Sequence, residues 1–118
     1  MGVMATVEEC RAALQRLVEQ FEEISPEDRA KHVVDRTVAC LIPDLGVTFY
    51  GRVHPDGLEP FGEEPPPDGR PVDVKLTLTS EDLISMVNGE LDMARAILGG
   101  RVKIDASLGD LLRLRRLL

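Results

Sequence analysis

Few residues in this chain have the type and spacing that chemistry requires. His32 and His54 each stand alone, with no carboxylate or cysteine at ligand spacing, so a metal site is not expected. Cys10 and Cys40 are too few and too far apart in sequence for a metal knuckle or a redox pair, and Cys40 reads as a small buried hydrophobe. A serine hydrolase would want a nucleophile elbow such as G-x-S-x-G, and none occurs. Gly99-Gly100 precedes an extended segment, whereas a phosphate loop follows a strand and opens a helix. Glu63 and Glu64 lie in a proline-rich stretch that favours solvated carboxylates, and His54 adjoins the Pro55-Asp56-Gly57 turn as a surface residue. Met1-Gly2 with Thr6 fits the loose myristoylation pattern, but so short a pattern arises readily by chance. The expectation is a non-catalytic protein with neither metal nor cofactor.

The elements that would position any site must therefore be read for binding. With 118 residues the chain suits one domain able to bury roughly two thirds of its unfolded surface. Hydrophobic content is 43% and aromatic content only 3%, with no Trp, so the interior must be mainly aliphatic. A net charge of −7 disfavours nucleic acid and bulk attraction to an anionic membrane. No apolar stretch is long enough to span a bilayer and the N-terminus lacks a signal-peptide core, so stable membrane insertion is not expected and a cytoplasmic location is.

Thr6 and Glu9 form a capping box for a first helix over residues 6–24, with Cys10, Leu14, Leu17, Val18, Phe21 and Ile24 as its apolar stripe. That stripe suits packing on its own domain; a partner-binding surface is the alternative. Ser25-Pro26 opens another turn, with Pro at the first helical position. Val38, Cys40 and Ile42 alternate in a first strand and Val47, Phe49, Gly51 and Val53 in a second. Leu58 to Phe61 is a short edge strand in which Pro60 lacks a ladder N–H. Residues 62–71, G-E-E-P-P-P-D-G-R-P, form a stiff extended connection.

The last third is the most patterned. Val72, Val74, Leu76 and Leu78 alternate with polar residues, predicting a strand over 72–79 with one face buried. Thr79 and Ser80 offer N-cap hydroxyls, Asp82 stands at capping-box spacing from Thr79, and Leu83, Ile84 and Val87 share one side of a helix ended by Gly89. Asp92 opens a second short helix carrying Met93, Ala94, Ala96, Ile97 and Leu98 before Gly99-Gly100. Residues 101–105 alternate about Val102 and Ile104. Ser107 and Asp110 cap a final amphipathic helix that turns Leu108, Leu111, Leu112, Leu114 and Leu118 broadly inward. The fold class is α+β: helix, three strands, crossover, strand, helices, strand, helix, with a five-stranded mixed sheet and helices largely on one face.

The run L-T-L-T-S-E-D-L-I-S-M-V-N-G-E-L-D-M-A-R-A-I-L-G-G-R-V-K-I, with Asp73 before it, resembles the sterol carrier protein type-two family of sterol-binding domains, in a stand-alone bacterial-type form. Ser80, Asp82, Leu83, Gly89, Leu91, Ala96 and the Gly100–Ile104 run carry the match. The resemblance covers residues 1–118 as one lipid-binding domain and places the crossover at 62–71. It implies an apolar tunnel between sheet and helices for a fatty acyl, isoprenoid or sterol-like lipid. The wall residues expected for that tunnel are Val74, Leu76, Leu83, Val87, Met93, Ile97, Val102, Ile104, Leu111, Leu114 and Leu118; as a separate hypothesis from the charges of the last helix, Arg113, Arg115 or Arg116 meets a ligand carboxylate at one end. Asp105 stands where the family usually carries Gly, and Arg116-Leu117-Leu118 is not the Ser-Lys-Leu type of peroxisomal address. The proline-rich residues 62–71 make the crossover idiosyncratic as well, and together these three departures favour a generic acyl or isoprenoid lipid over sterol itself. The partner expected is a hydrophobic small molecule; a protein partner or a homodimer, in a non-catalytic accessory role, is the alternative.

Overall fold

A computed structural model describes residues 5–65, 71–109 and 112. Helix α1 (Val7–Glu22) begins as its capping box dictates: the Glu9 N–H donates to Thr6 Oγ1 at 3.1 Å, and the Thr6 N–H donates to the Glu9 carboxylate at 3.2 Å. Cys10, Ala13, Leu14 and Val18 are its buried stripe. Ile24 is not part of that stripe; it lies beyond the helix end and is 36% exposed. Helix α2 (Pro26–His32) is capped by Ser25, which accepts from the Asp28 N–H.

Strands β1 (Arg36–Ile42) and β2 (Val47–His54) pair antiparallel with Cys40 opposite Phe49. Gly46, at φ +62°, supplies the left-handed residue of the connecting turn. Strand β3 (Gly57–Leu58) is shorter and earlier than the expected 58–61. Pro60 cannot donate to the ladder, so regular pairing stops and contact resumes only as a bridge between Tyr50 and Gly62. β4 (Val74–Thr77) pairs parallel with β1, which requires the crossover between β3 and β4. β5 (Lys103–Asp105) pairs antiparallel with β4. The sheet order is β3-β2-β1-β4-β5.

The expected strand over 72–79 is cut to four ladder residues, although its ends stay tied to β1. The Thr37 N–H donates to the Asp73 carboxylate at 2.9 Å, and the Leu78 N–H donates to the Leu41 carbonyl at 3.1 Å. Helix α3 (Ser80–Val87) is capped by Thr79, whose hydroxyl accepts from the Asp82 N–H. Only that half of a capping box forms, because the Asp82 carboxylate accepts instead from the Arg101 guanidinium. Gly89, at φ +74°, ends the helix as a C′ residue. Helix α4 (Met93–Leu98) is capped by Asp92.

Period two divides the sheet. Cys40, Ile42, Phe49, Leu78 and Val102 face Cys10, Ala13 and Leu14 of α1, Leu83 and Val87 of α3, and Ala96 of α4 in one buried cluster. The helices that build the core therefore stand on one face. In the last segment, Leu108 and Leu112 are 74% and 51% exposed, so these two leucines do not turn inward as expected. Leu111, Leu114 and Leu118 lie outside the described residues, as do Arg113, Arg115 and Arg116.

Candidate functional site

The candidate site is the inner face of the sheet beneath the helices, and burial along it is graded. At the end where β4 runs into α3 the face is sealed: Ile42, Leu78, Leu83 and Val102 are at most 3% exposed. A polar knot ties the chain at this end. The fully buried Ser80 donates its N–H to Asp44 Oδ1 at 2.9 Å and its hydroxyl to Asp44 Oδ2 at 2.5 Å, while its oxygen accepts from the Ala5 N–H at 3.1 Å. The N-terminus of α1, the β1–β2 turn and the start of α3 are thereby joined, with every polar atom of Ser80 paired.

Towards the other end the same face stays apolar but opens. Val38, Val53, Val72, Val74, Leu76 and Ile104 are half-buried, with Leu76 in register between Cys40 and Ile104. On the helical side Ile84, Met86, Leu91 and Met93 are half-buried and pack against the core. The proposed wall residues therefore separate into three groups. Leu83, Val87 and Val102 belong to the sealed core. Val74, Leu76, Met93 and Ile104 are the half-open part. Ile97 is 38% exposed, on the surface.

One aromatic on this face escaped the sequence reading. Phe61 lies over Gly51, so closely that a Cβ on Gly51 would stand 2.6 Å from its ring. The bridge of Tyr50 to Gly62 and the ion pair of Arg11 with Glu63 hold the segment there. The available signal was an aromatic following Pro60 in a chain with only three Phe, placed near a glycine in an alternating strand.

The titratable groups near this face are structural. Burial pushes the Cys40 thiol from the ordinary 9.0 up to about 12, with a smaller contribution from neighbouring Cys10, and burial raises Cys10 as well. Below about pH 9 folded and unfolded chains both keep the Cys40 proton, so its contribution to stability is fully present. Above that the unfolded thiol ionises first, and stability should fall by roughly 1 kcal/mol per pH unit until the folded value is reached. Urea midpoints at about pH 8 and about pH 10 check this: the decline should be shallower in Cys40→Ala. Elsewhere the Arg52 guanidinium, hydrogen-bonded to Asp35, holds that exposed carboxyl below its ordinary value on the opposite sheet face.

Asp82 and Arg101 form an ion pair with a buried member: the Asp82 side chain is 7% exposed and that of Arg101 61%. Removing Arg101 leaves a buried carboxylate without its charged donor. Arg101→Ala should cost about 1–3 kcal/mol in chemical unfolding, with Arg101→Lys intermediate. Among the described residues no group of three or more His, Cys, Asp or Glu is placed to hold a metal, and no helix is long and apolar enough to cross a membrane.

Comparison with solved structures agrees with this architecture. The solution structure of the sterol carrier protein domain 2 of Helicoverpa armigera matches with a TM-score of 0.68 at 21% identity, over 98% of this chain and 91% of that one. UbiJ-SCP2, a ubiquinone synthesis protein, matches with a TM-score of 0.64 at 10% identity, over 91% of this chain and 90% of that one. A double mutant of the sec-alkyl sulfatase PisA1 matches with a TM-score of 0.56 at 28% identity, over 77% of this chain. The match spans only 14% of the sulfatase's own length. A search of curated protein sequences finds no significant match. The fold is thus that of the sterol carrier domains. The sequence profile of the SCP-2 sterol transfer family matches residues 14–118, and the chain belongs to that family.

Proposed function

We propose that this protein is a non-catalytic carrier of an elongated apolar lipid (fatty acyl, isoprenoid or sterol-like), held between the inner sheet face and the helices. The observation that carries this reading is the half-open aliphatic wall of Val74, Leu76 and Ile104 on the paired strands β4 and β5. Such a wall offers no hydrogen bonds, so its natural ligand is a chain that asks for none. Removing about 300 Å² of ligand surface from water at about 25 cal/mol per Å² supplies roughly 7 kcal/mol before ordering costs. Family membership supports the same class of ligand. Leu83, Val87 and Val102 would become wall residues only if the helices shift outward; Leu111, Leu114 and Leu118 remain proposed as part of the wall.

A second reading is a non-catalytic accessory subunit. It is favoured by the outward Leu108 and Leu112, and UbiJ-SCP2, which shares the fold, is a ubiquinone synthesis protein. Native mass spectrometry of the purified protein, followed by organic extraction, separates the two. Near-equal stoichiometry of a co-purifying lipid is expected. An empty protein that also fails to take up a fluorescent fatty acid would sink the carrier reading in favour of the accessory one.

A further inference from the structure

Charge is unevenly distributed along this acidic chain. Residues 93–118 hold six Arg or Lys against two Asp, a net of four positive charges, so the rest of the chain carries eleven negative charges to reach −7. The longest run without an acidic residue is 93–104, and it contains Arg95, Arg101 and Lys103. This run comprises α4, the Gly99-Gly100 turn and the start of β5. It also presents apolar surface. Leu98 is 88% exposed at the last position of α4, and Ile97 beside it is 38% exposed.

The three cations are not equally engaged. Arg95 pairs with Asp92, and Arg101 with Asp82. Lys103 is exposed, with no side-chain partner among the described residues. Next to the turn is a shallow depression of about 110 Å³ lined by Pro43, Thr77, Leu78, Thr79, Gly100, Arg101 and Lys103. It is well below the volume of a small-molecule pocket, which starts at about 300 Å³. Its exposed lining is mainly apolar, with Arg101 and Lys103 among the residues that border it.

We propose that the α4–β5 turn is a docking surface for an anionic lipid bilayer, with Leu98 entering the interface and Lys103, beside the depression, meeting a lipid phosphate or carboxylate. An exposed leucine at the end of α4 and, five residues on, a lysine without an ion-pair partner among the described residues at the start of β5 bring apolar area and positive charge to one edge, the combination that interfacial binding uses, with Asp105 the nearest acidic residue along β5. The net −7 disfavours bulk attraction to such a bilayer, but charges beyond about 10 Å are largely screened at moderate salt, so the nearest charges decide orientation. The docked protein would present this edge to the membrane and its acidic remainder to water. This surface would bring the chain to the source or destination of a lipid cargo. It does not depend on the carrier reading, because the test uses delipidated protein and reads membrane binding alone.

The test is co-sedimentation with vesicles of phosphatidylcholine, with and without about one third phosphatidylglycerol. Binding to the anionic vesicles that weakens with salt is expected. Leu98→Asp and Lys103→Glu should each lower the partition coefficient roughly tenfold, one removing interfacial apolar area and the other reversing a surface charge. Lys31→Glu, on exposed α2, changes net charge as Lys103→Glu does and should leave binding nearly unchanged. Circular dichroism shows that each variant is folded. Equal losses in Lys31→Glu and Lys103→Glu would overturn the proposal in favour of bulk charge. Binding untouched by either α4–β5 substitution, or no binding to anionic vesicles at all, would also overturn it. If Leu98→Asp instead dissolved a dimer without altering vesicle binding, the patch would be a contact between copies of the chain.

Discussion

Phe49→Ala should cost about 3–5 kcal/mol, the largest stability loss expected from any single truncation in this fold. Phe49 is 0% exposed at the middle of β2, opposite Cys40, and belongs to the cluster that Cys10 and Leu14 of α1 complete. Phe61 packs against the same cluster, but it is held over Gly51 by the Tyr50–Gly62 bridge, which limits how far it can move into the void. The loss combines the ring's transfer out of water with the cavity left between a sheet and a helix that are each held by other contacts. Against a total stability of about 5–15 kcal/mol, such a loss would leave a measurable unfolded fraction at moderate temperature. Urea denaturation of wild type, Phe49→Leu and Phe49→Ala should give midpoints in that descending order. Phe21→Ala is the control, since Phe21 is only half-buried near the end of α1 and should cost clearly less. A Phe49→Ala loss under about 1 kcal/mol would show that the inner face collapses around the missing ring, and that the core is looser than its burial implies.

Much of this fold was legible because its signals are local. Thr6 with Glu9, Pro26 after Ser25, Gly89 after Val87 and Asp92 before Met93 act within one helical turn, and each cap forms where it was read. The alternation through Val47, Phe49, Gly51 and Val53 likewise predicts which side chains share a face. What was not legible depends on residues distant in sequence. Capping-box spacing suggested that Asp82 would turn back to its own N-cap, but Arg101, nineteen residues on, offers a charged donor that a backbone N–H cannot match. Ser80 looked like a spare cap hydroxyl; Asp44 and Ala5 make it the centre of a buried knot. The proposed wall residues show the same division. Periodicity identified the face of Val74, Leu76, Val102 and Ile104, but it could not grade that face from sealed at Val102 to half-open at Leu76, because the grading is set by where the helices lie.

That grading makes Leu76 the position at which ligand binding and stability can be separated. Leu76 lies on the inner face between Cys40 and Ile104, half-buried, so a carboxylate there can keep part of its hydration in the empty protein. A lipid chain lying along Val74, Leu76 and Ile104 would remove that water and leave a charge facing hydrocarbon, which costs several kcal/mol. Leu76→Glu should therefore weaken fluorescent fatty-acid binding by about a hundredfold or more. Its effect on the urea midpoint should stay below that of Phe49→Ala. Leu76→Met, which keeps volume and apolarity, should bind nearly as the wild type does. Lys75→Glu supplies the geometric control: it is the neighbouring residue on the same strand, it faces the opposite side, and it makes the chain more acidic as Leu76→Glu does. Loss of binding in Leu76→Glu with retention in Lys75→Glu assigns the ligand to the inner face, because Lys75→Glu makes the larger change in net charge and places its carboxylate on the other face. Equal losses in both would trace the effect to charge alone. A folded Leu76→Glu that binds like wild type would mean that the half-open wall at β4 and β5 is not where a lipid lies.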